Sequence, residues 1–269
     1  MAVTLPQVEP VALKVKPELQ AKSADINVTN DYGTPNLLFL YYVPFLPDDK
    51  KLDLDAIQDE FQTWSAWELG QAETQLMKHV EGGRLPSDDS IASRVLRNNY
   101  RSKAIAYFRE TSEAWLSSIS QNLVEKSVPT TPDNINGAIL SVLRTLHLEQ
   151  QLQIPFRVVL NTISGTVDLD KESKYFFTHV FYQYNHQSRT FQPIVLDTTF
   201  TFVNPADAQG ESSKPNLTLQ VNFAVSKYQF DRNLWRRVRH EGEEAIEMGR
   251  SILKDMSFDF YVTSPVLEQ

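Results

Sequence analysis

The chain has 269 residues, 41% of them hydrophobic and 11% aromatic, with no cysteine, a formal charge of −8 and an isoelectric point near 5.2. The lack of cysteine excludes disulfide scaffolds, thiolate metal sites, iron–sulfur clusters and cysteine nucleophiles, and the acidic balance argues against a nucleic-acid partner, which asks for a basic face. No apolar run reaches the ~18 residues of a membrane-crossing helix. The opening MAVTLPQVEP lacks the charged start and apolar core of a signal peptide, so the expectation is synthesis in the cytoplasm, with any release by a non-classical route.

Residues 1–24, punctuated by Pro6, Pro10 and Pro17, read as an extended N-terminal arm. The remainder, 25–269, reads as one domain. Residues 35–44 are short, aromatic and closed by proline at each end, which predicts a buried first strand. A helical block follows, about 53–151. Leu54, Ile57, Phe61, Trp64, Leu69, Leu76 and Val80 recur in steps of three and four and stop at Gly82-Gly83. Ser87-Asp88-Asp89 opens a second helical pattern running through Trp115 and Ile119 to Leu123, long enough for one helix or two. A third runs from Ile135 to Gln151, where Pro155 must end it.

The period changes to two near residue 154. Four segments within about 154–228 alternate and are separated by turn residues, which predicts a four-strand antiparallel meander. Nine Phe or Tyr fall between Tyr175 and Phe202, and the segment around Phe176 to Tyr184 is apolar on both faces. A strand of that kind needs cover on both sides. A C-terminal helix, about 233–254, and an alternating tail 258–262 complete the chain. The fold class expected is α+β: helices packed over an antiparallel β-sheet, with no alternating βαβ units.

Chemistry-bearing motifs are scarce. The chain has nine glycines and no G-x-G-x-x-G, P-loop or G-x-S-x-G, so nucleotide sites and nucleophile elbows are not expected. His240-Glu241 lacks a second histidine four residues on, and no metal or cofactor is expected. Asp168, Asp170 and His179 are the candidates for an unrecognised active site, but the reading is non-enzymatic. Arg94, Arg97 and Arg101 share one helical face in a stretch free of acids. Such a stripe fits anionic lipid head groups, or else ion pairs with Asp53, Asp55, Asp59 and Glu60 on the preceding helix.

The aromatic strand KYFFTHVFYQYN (174–185), a short polar turn, and the proline-started strand PIVLDTTFTFV (193–203) resemble the paired strands of the cytolytic (Cyt-type) delta-endotoxins and the related Erwinia virulence factor fold. The order of one strand, several helices and long β-strands is similar as well. The chain departs from that pattern in having no cysteine to carry the lipid of the virulence-factor branch, and in its helix at 233–254. The resemblance implies a toxin or virulence protein that acts on membranes, with helices leaving the sheet. Arg94, Arg97 and Arg101 would then meet head groups, while Tyr182 and Tyr184 settle at the interface. The alternatives are a soluble interaction protein forming a homo-oligomer, and a carrier of a fatty acid or other lipid between sheet and helices.

Overall fold

The computed structural model describes residues 4–14, 28–44, 48–111, 113–120, 126–145, 160, 173–185, 190–203 and 219–262. Seven strands form one sheet: β1 (Leu37–Pro44), β2 (Leu116–Ser120), β3 (Lys126–Thr130), β4 (Ser173–Asn185), β5 (Thr190–Val203), β6 (Leu219–Phe230) and β7 (Ser257–Val262). Their spatial order is β2-β6-β5-β4-β1-β7, with β3 also paired to β6. The helices are α1 (Asp48–Glu81), α2 (Ile91–Thr111), α3 (Ile135–Thr145), α4 (Arg232–Val238) and α5 (Glu243–Met256). The arrangement is a single α+β domain.

β4, β5 and β6 form three strands of the expected four-strand antiparallel meander, with β4 and β5 in register from Ser173 opposite Phe202 to Asn185 opposite Thr190. The sheet as a whole is mixed rather than antiparallel, because β1 lies between β4 and β7 and runs parallel to both. Every residue of β1 is buried, the burial of a strand covered on both faces. Of the segment 154–160, expected as a strand, only Leu160 is described, and it is helical and buried.

The second helical pattern stops at Thr111. Trp115 and Ile119 keep the helical spacing, but Leu116 pairs opposite Phe230 in β2, and the Asp231 amide donates to the Trp115 carbonyl at 2.7 Å. The C-terminal helix is two helices joined by a 3-10 turn, Arg239–Gly242. Asp231 caps α4 by accepting from the Leu234 amide at 3.0 Å.

One face of the sheet packs against α1, α2, α4 and α5 through Phe39, Tyr41, Phe176, Val180, Tyr182, Val195 and Tyr228. The other is aromatic, with Tyr42, Tyr175, Phe177, Phe181, Phe200 and Phe202, and α3 covers it with Ile135, Ala138 and Ile139. Helix α1 is buried on nearly all sides from Glu60 to Val80, the mark of a central helix. It crosses α5 at glycine: a Cβ on Gly249 would lie 1.8 Å from the Ala66 carbonyl oxygen, and one on Gly70 2.0 Å from that of Ala245.

Candidate functional site

The helical face is fastened by two buried ion-pair clusters. In the first, Arg97 holds Asp31 with two prongs, Nε to Oδ2 at 2.8 Å and Nη2 to Oδ1 at 2.7 Å, and its Nη1 donates to the carbonyls of Pro86 and Asp88. Arg101 holds Glu73 through Nε at 2.7 Å and reaches Asp31 and Asn98 through Nη1, both at 2.8 Å. Both guanidinium groups are sealed from solvent. Two cations face two carboxylates, so the cluster is balanced, as burial of charge requires.

The second cluster is not balanced. Arg109 makes a two-pronged pair with Glu68, at 2.7 and 2.6 Å, and its Nη1 meets Thr178 at 3.0 Å and also Asp197. Its guanidinium lies 5.0 Å from the Trp64 ring centre. Trp64 Nε1 donates to Glu113 Oε2 at 2.9 Å, while Glu113 Oε1 accepts from no donor. Three buried carboxylates thus surround one cation. Burial, with the Glu68 charge beside it, holds Glu113 well above the ordinary carboxylate range. A proton shared between Glu113 and Glu68 would relieve the repulsion between these two buried carboxylates. Burial also raises Asp197, outweighing the pull of Arg109.

The aromatic face has a different chemistry. His179, in the middle of β4, contacts Tyr42 Oη through Nδ1 at 3.1 Å and Thr198 Oγ1 through Nε2 at 2.8 Å. Its ring is nearly parallel to that of Phe181, 10° away in plane and 6.3 Å between centres. Burial pushes His179 down to about 3, so it is neutral at physiological pH.

Two of the three arginines expected to meet lipid or a partner therefore sit in the interior. The reason is that their acids come from elsewhere in the chain: Asp31 and Glu73 for Arg97 and Arg101, in place of Asp53, Asp55, Asp59 or Glu60. Glu60 pairs with Arg232 and Arg236, and Asp59 lies 3.7 Å from Arg239. Arg94 alone of the stripe keeps access to solvent, paired with Asp89 at 2.7 Å. Tyr182 is buried on the helical face against Phe61, with its hydroxyl unpartnered. The side chain of Tyr184, and Asp168 and Asp170, lie outside the described residues.

Sequence reasoning missed Asp31, Glu68, Glu73, Glu113 and Asp197. The signal was there in part: an acid-free run of arginines at helical spacing, in an acidic chain, calls for carboxylates on neighbouring elements.

A groove of about 530 Å³ opens where α1, α5 and β7 meet, lined by Asp59, Gln62, Arg250, Lys254, Ser257 and Asp259 among others. It is polar, unlike a tunnel for an acyl chain. Among the described residues no helix is long and apolar enough to cross a membrane, and no cluster of ligands suits a metal ion.

No protein-family model matches the chain, and no curated protein matches its sequence. Among solved structures it is similar to that of the Evf virulence factor, with a TM-score of 0.46 and 10% identity over 90% of this chain and 91% of that one. This is a distant likeness to a virulence factor, as the sequence resemblance implied.

Proposed function

We propose that the protein is a non-enzymatic, membrane-interacting protein of the cytolysin-like, virulence-associated kind, and that the aromatic face beneath α3 is the surface that meets lipid. The observation supporting this reading is the unequal fastening of the two sheet faces. The helical face is held by buried, multiply bonded ion pairs, and breaking any of them strands a charge. Among the described residues, the aromatic face is covered by an eleven-residue amphipathic helix held through Ile135, Ala138 and Ile139, and by Leu160. Those contacts can be exchanged for lipid at little loss, because hydrocarbon replaces hydrocarbon. On this reading Arg94 is the member of the stripe available to an anionic head group.

Dye release from neutral and anionic vesicles at pH 5 and 7.4 tests it. Release that rises with protein concentration supports the reading. Silence under all four conditions contradicts it.

A second reading, an assembly subunit, draws on β7. This strand ends the sheet among the described residues and leaves Phe258 46% and Tyr261 64% exposed. A discrete homo-oligomer on a sizing column, with no response to lipid, would favour it.

A further inference from the structure

The N-terminal arm, residues 4–14, has no regular secondary structure, yet it is held along its length by side chains of α1 and α2 that bond its backbone. Gln75 clamps Glu9 from both sides: its Oε1 accepts from the Glu9 amide at 2.9 Å and its Nε2 donates to the Glu9 carbonyl at 2.8 Å. Gln71 Nε2 donates to the Ala12 carbonyl at 2.7 Å, Trp67 Nε1 to that of Leu13 at 3.0 Å, and Lys103 Nζ to that of Pro6 at 2.7 Å. His79 Nε2 faces the Gln7 carbonyl at 3.3 Å. The contacts run from Leu13 on Trp67 to Gln7 on His79. Six arm residues therefore span twelve of α1, about 18 Å at the helical rise, or about 3 Å per residue. That is the rise of a polyproline or extended chain.

These bonds read main chain rather than sequence. Four positions add selectivity, since Leu5, Val8, Val11 and Leu13 pack against the core. The amide of residue 9 is used, so proline is excluded there. Pro6 and Pro10 fit because no bond calls for their nitrogens. The groove thus specifies proline or any residue at 6 and 10, an N–H at 9, and apolar side chains at 5, 8, 11 and 13.

Gln71, Gln75 and Trp67 are buried beneath the arm, so detaching it would hand their hydrogen bonds to water, whereas a peptide of the same backbone geometry would restore them. Exchange of the arm for such a peptide keeps these bonds and the apolar contacts that simple detachment gives up. We propose that the α1–α2 groove is a docking site for an extended, proline-containing peptide segment of a partner protein, with the chain's own arm as the resident, exchangeable ligand. The site lies on the helical face and does not depend on the lipid reading above.

The test uses the full chain and a labelled peptide of residues 4–14, followed by fluorescence anisotropy. Glu9→Pro in the chain's own arm weakens the resident competitor. The peptide should bind this variant about tenfold or more tighter than the unaltered chain, where the tethered arm competes at high effective concentration. Adding Gln75→Ala to the variant, or placing Glu9→Pro in the peptide instead, should each weaken binding about tenfold. If the variant does not fold, the unaltered chain serves: excess peptide should speed hydrogen exchange in residues 4–14. The proposal is overturned if the peptide and its Glu9→Pro form bind alike, if neither binds at millimolar concentration, or if excess peptide leaves the arm's exchange unchanged.

Discussion

Arg97 and Asp31 meet in a two-pronged ion pair, at 2.8 and 2.7 Å, with neither side chain reaching solvent. Asp31 also accepts from Arg101, so one carboxylate joins the segment before β1 to two successive turns of α2. Asp31→Ala would leave two guanidinium groups buried without it, and about 3–5 kcal/mol of stability should be lost, read as a lower urea midpoint. Arg94→Ala should leave the midpoint nearly unchanged, because that pair is exposed. Vesicle binding is therefore fairly tested with Arg94→Ala alone, since changing all three arginines would confound lipid contact with unfolding.

The two sheet faces respond to pH with opposite sign. His179 is depressed to about 3 in the fold, so protons favour the unfolded form. The stability it contributes is full above about pH 6.5 and is lost as pH falls from there toward 3. Glu113 and Asp197 are raised in the fold. Their contribution is present at low pH and is lost as pH climbs beyond the ordinary carboxylate range. Glu113→Gln should reduce the alkaline slope of the stability profile to the part that Asp197 contributes and leave the acid side as it was. His179→Gln should do the reverse. Urea midpoints from pH 4 to 9 check both, and a Glu113→Gln profile that keeps its full alkaline slope would show that the proton sits elsewhere.

Gly249→Ala should be among the most damaging conservative changes in the chain. Its Cβ would fall on the Ala66 backbone oxygen at 1.8 Å, and a backbone atom inside a buried helix cannot step aside. Helices α1 and α5 must separate, at about 1–3 kcal/mol or more. Thermal melts compared with Gly83→Ala, which has open space around it but a positive φ of 68°, separate packing from backbone strain.

Much of this was legible in the sequence. Alternation located β5 because it presents two distinct faces, and the apolar run of β1 and the aromatic density of β4 marked strands buried on both. The parallel seat of β1 beside β4 and β7 was not legible, since no local pattern encodes the direction of a neighbouring strand. β2 was hidden because Trp115 and Ile119 happen to be four apart. The buried arginines were read as surface for a simpler reason: charge is rarely interior, and their acids lie 66 residues away at Asp31 and 28 at Glu73. Only the fold brings them together.

Whether the aromatic face opens while the helical face stays closed can be read by hydrogen exchange of the full chain with and without anionic vesicles at pH 5. Helix α3 should lose protection on the vesicles while α1 and α2 keep theirs. Vesicle-bound protein in which α3 stays as protected as in free solution would contradict that opening.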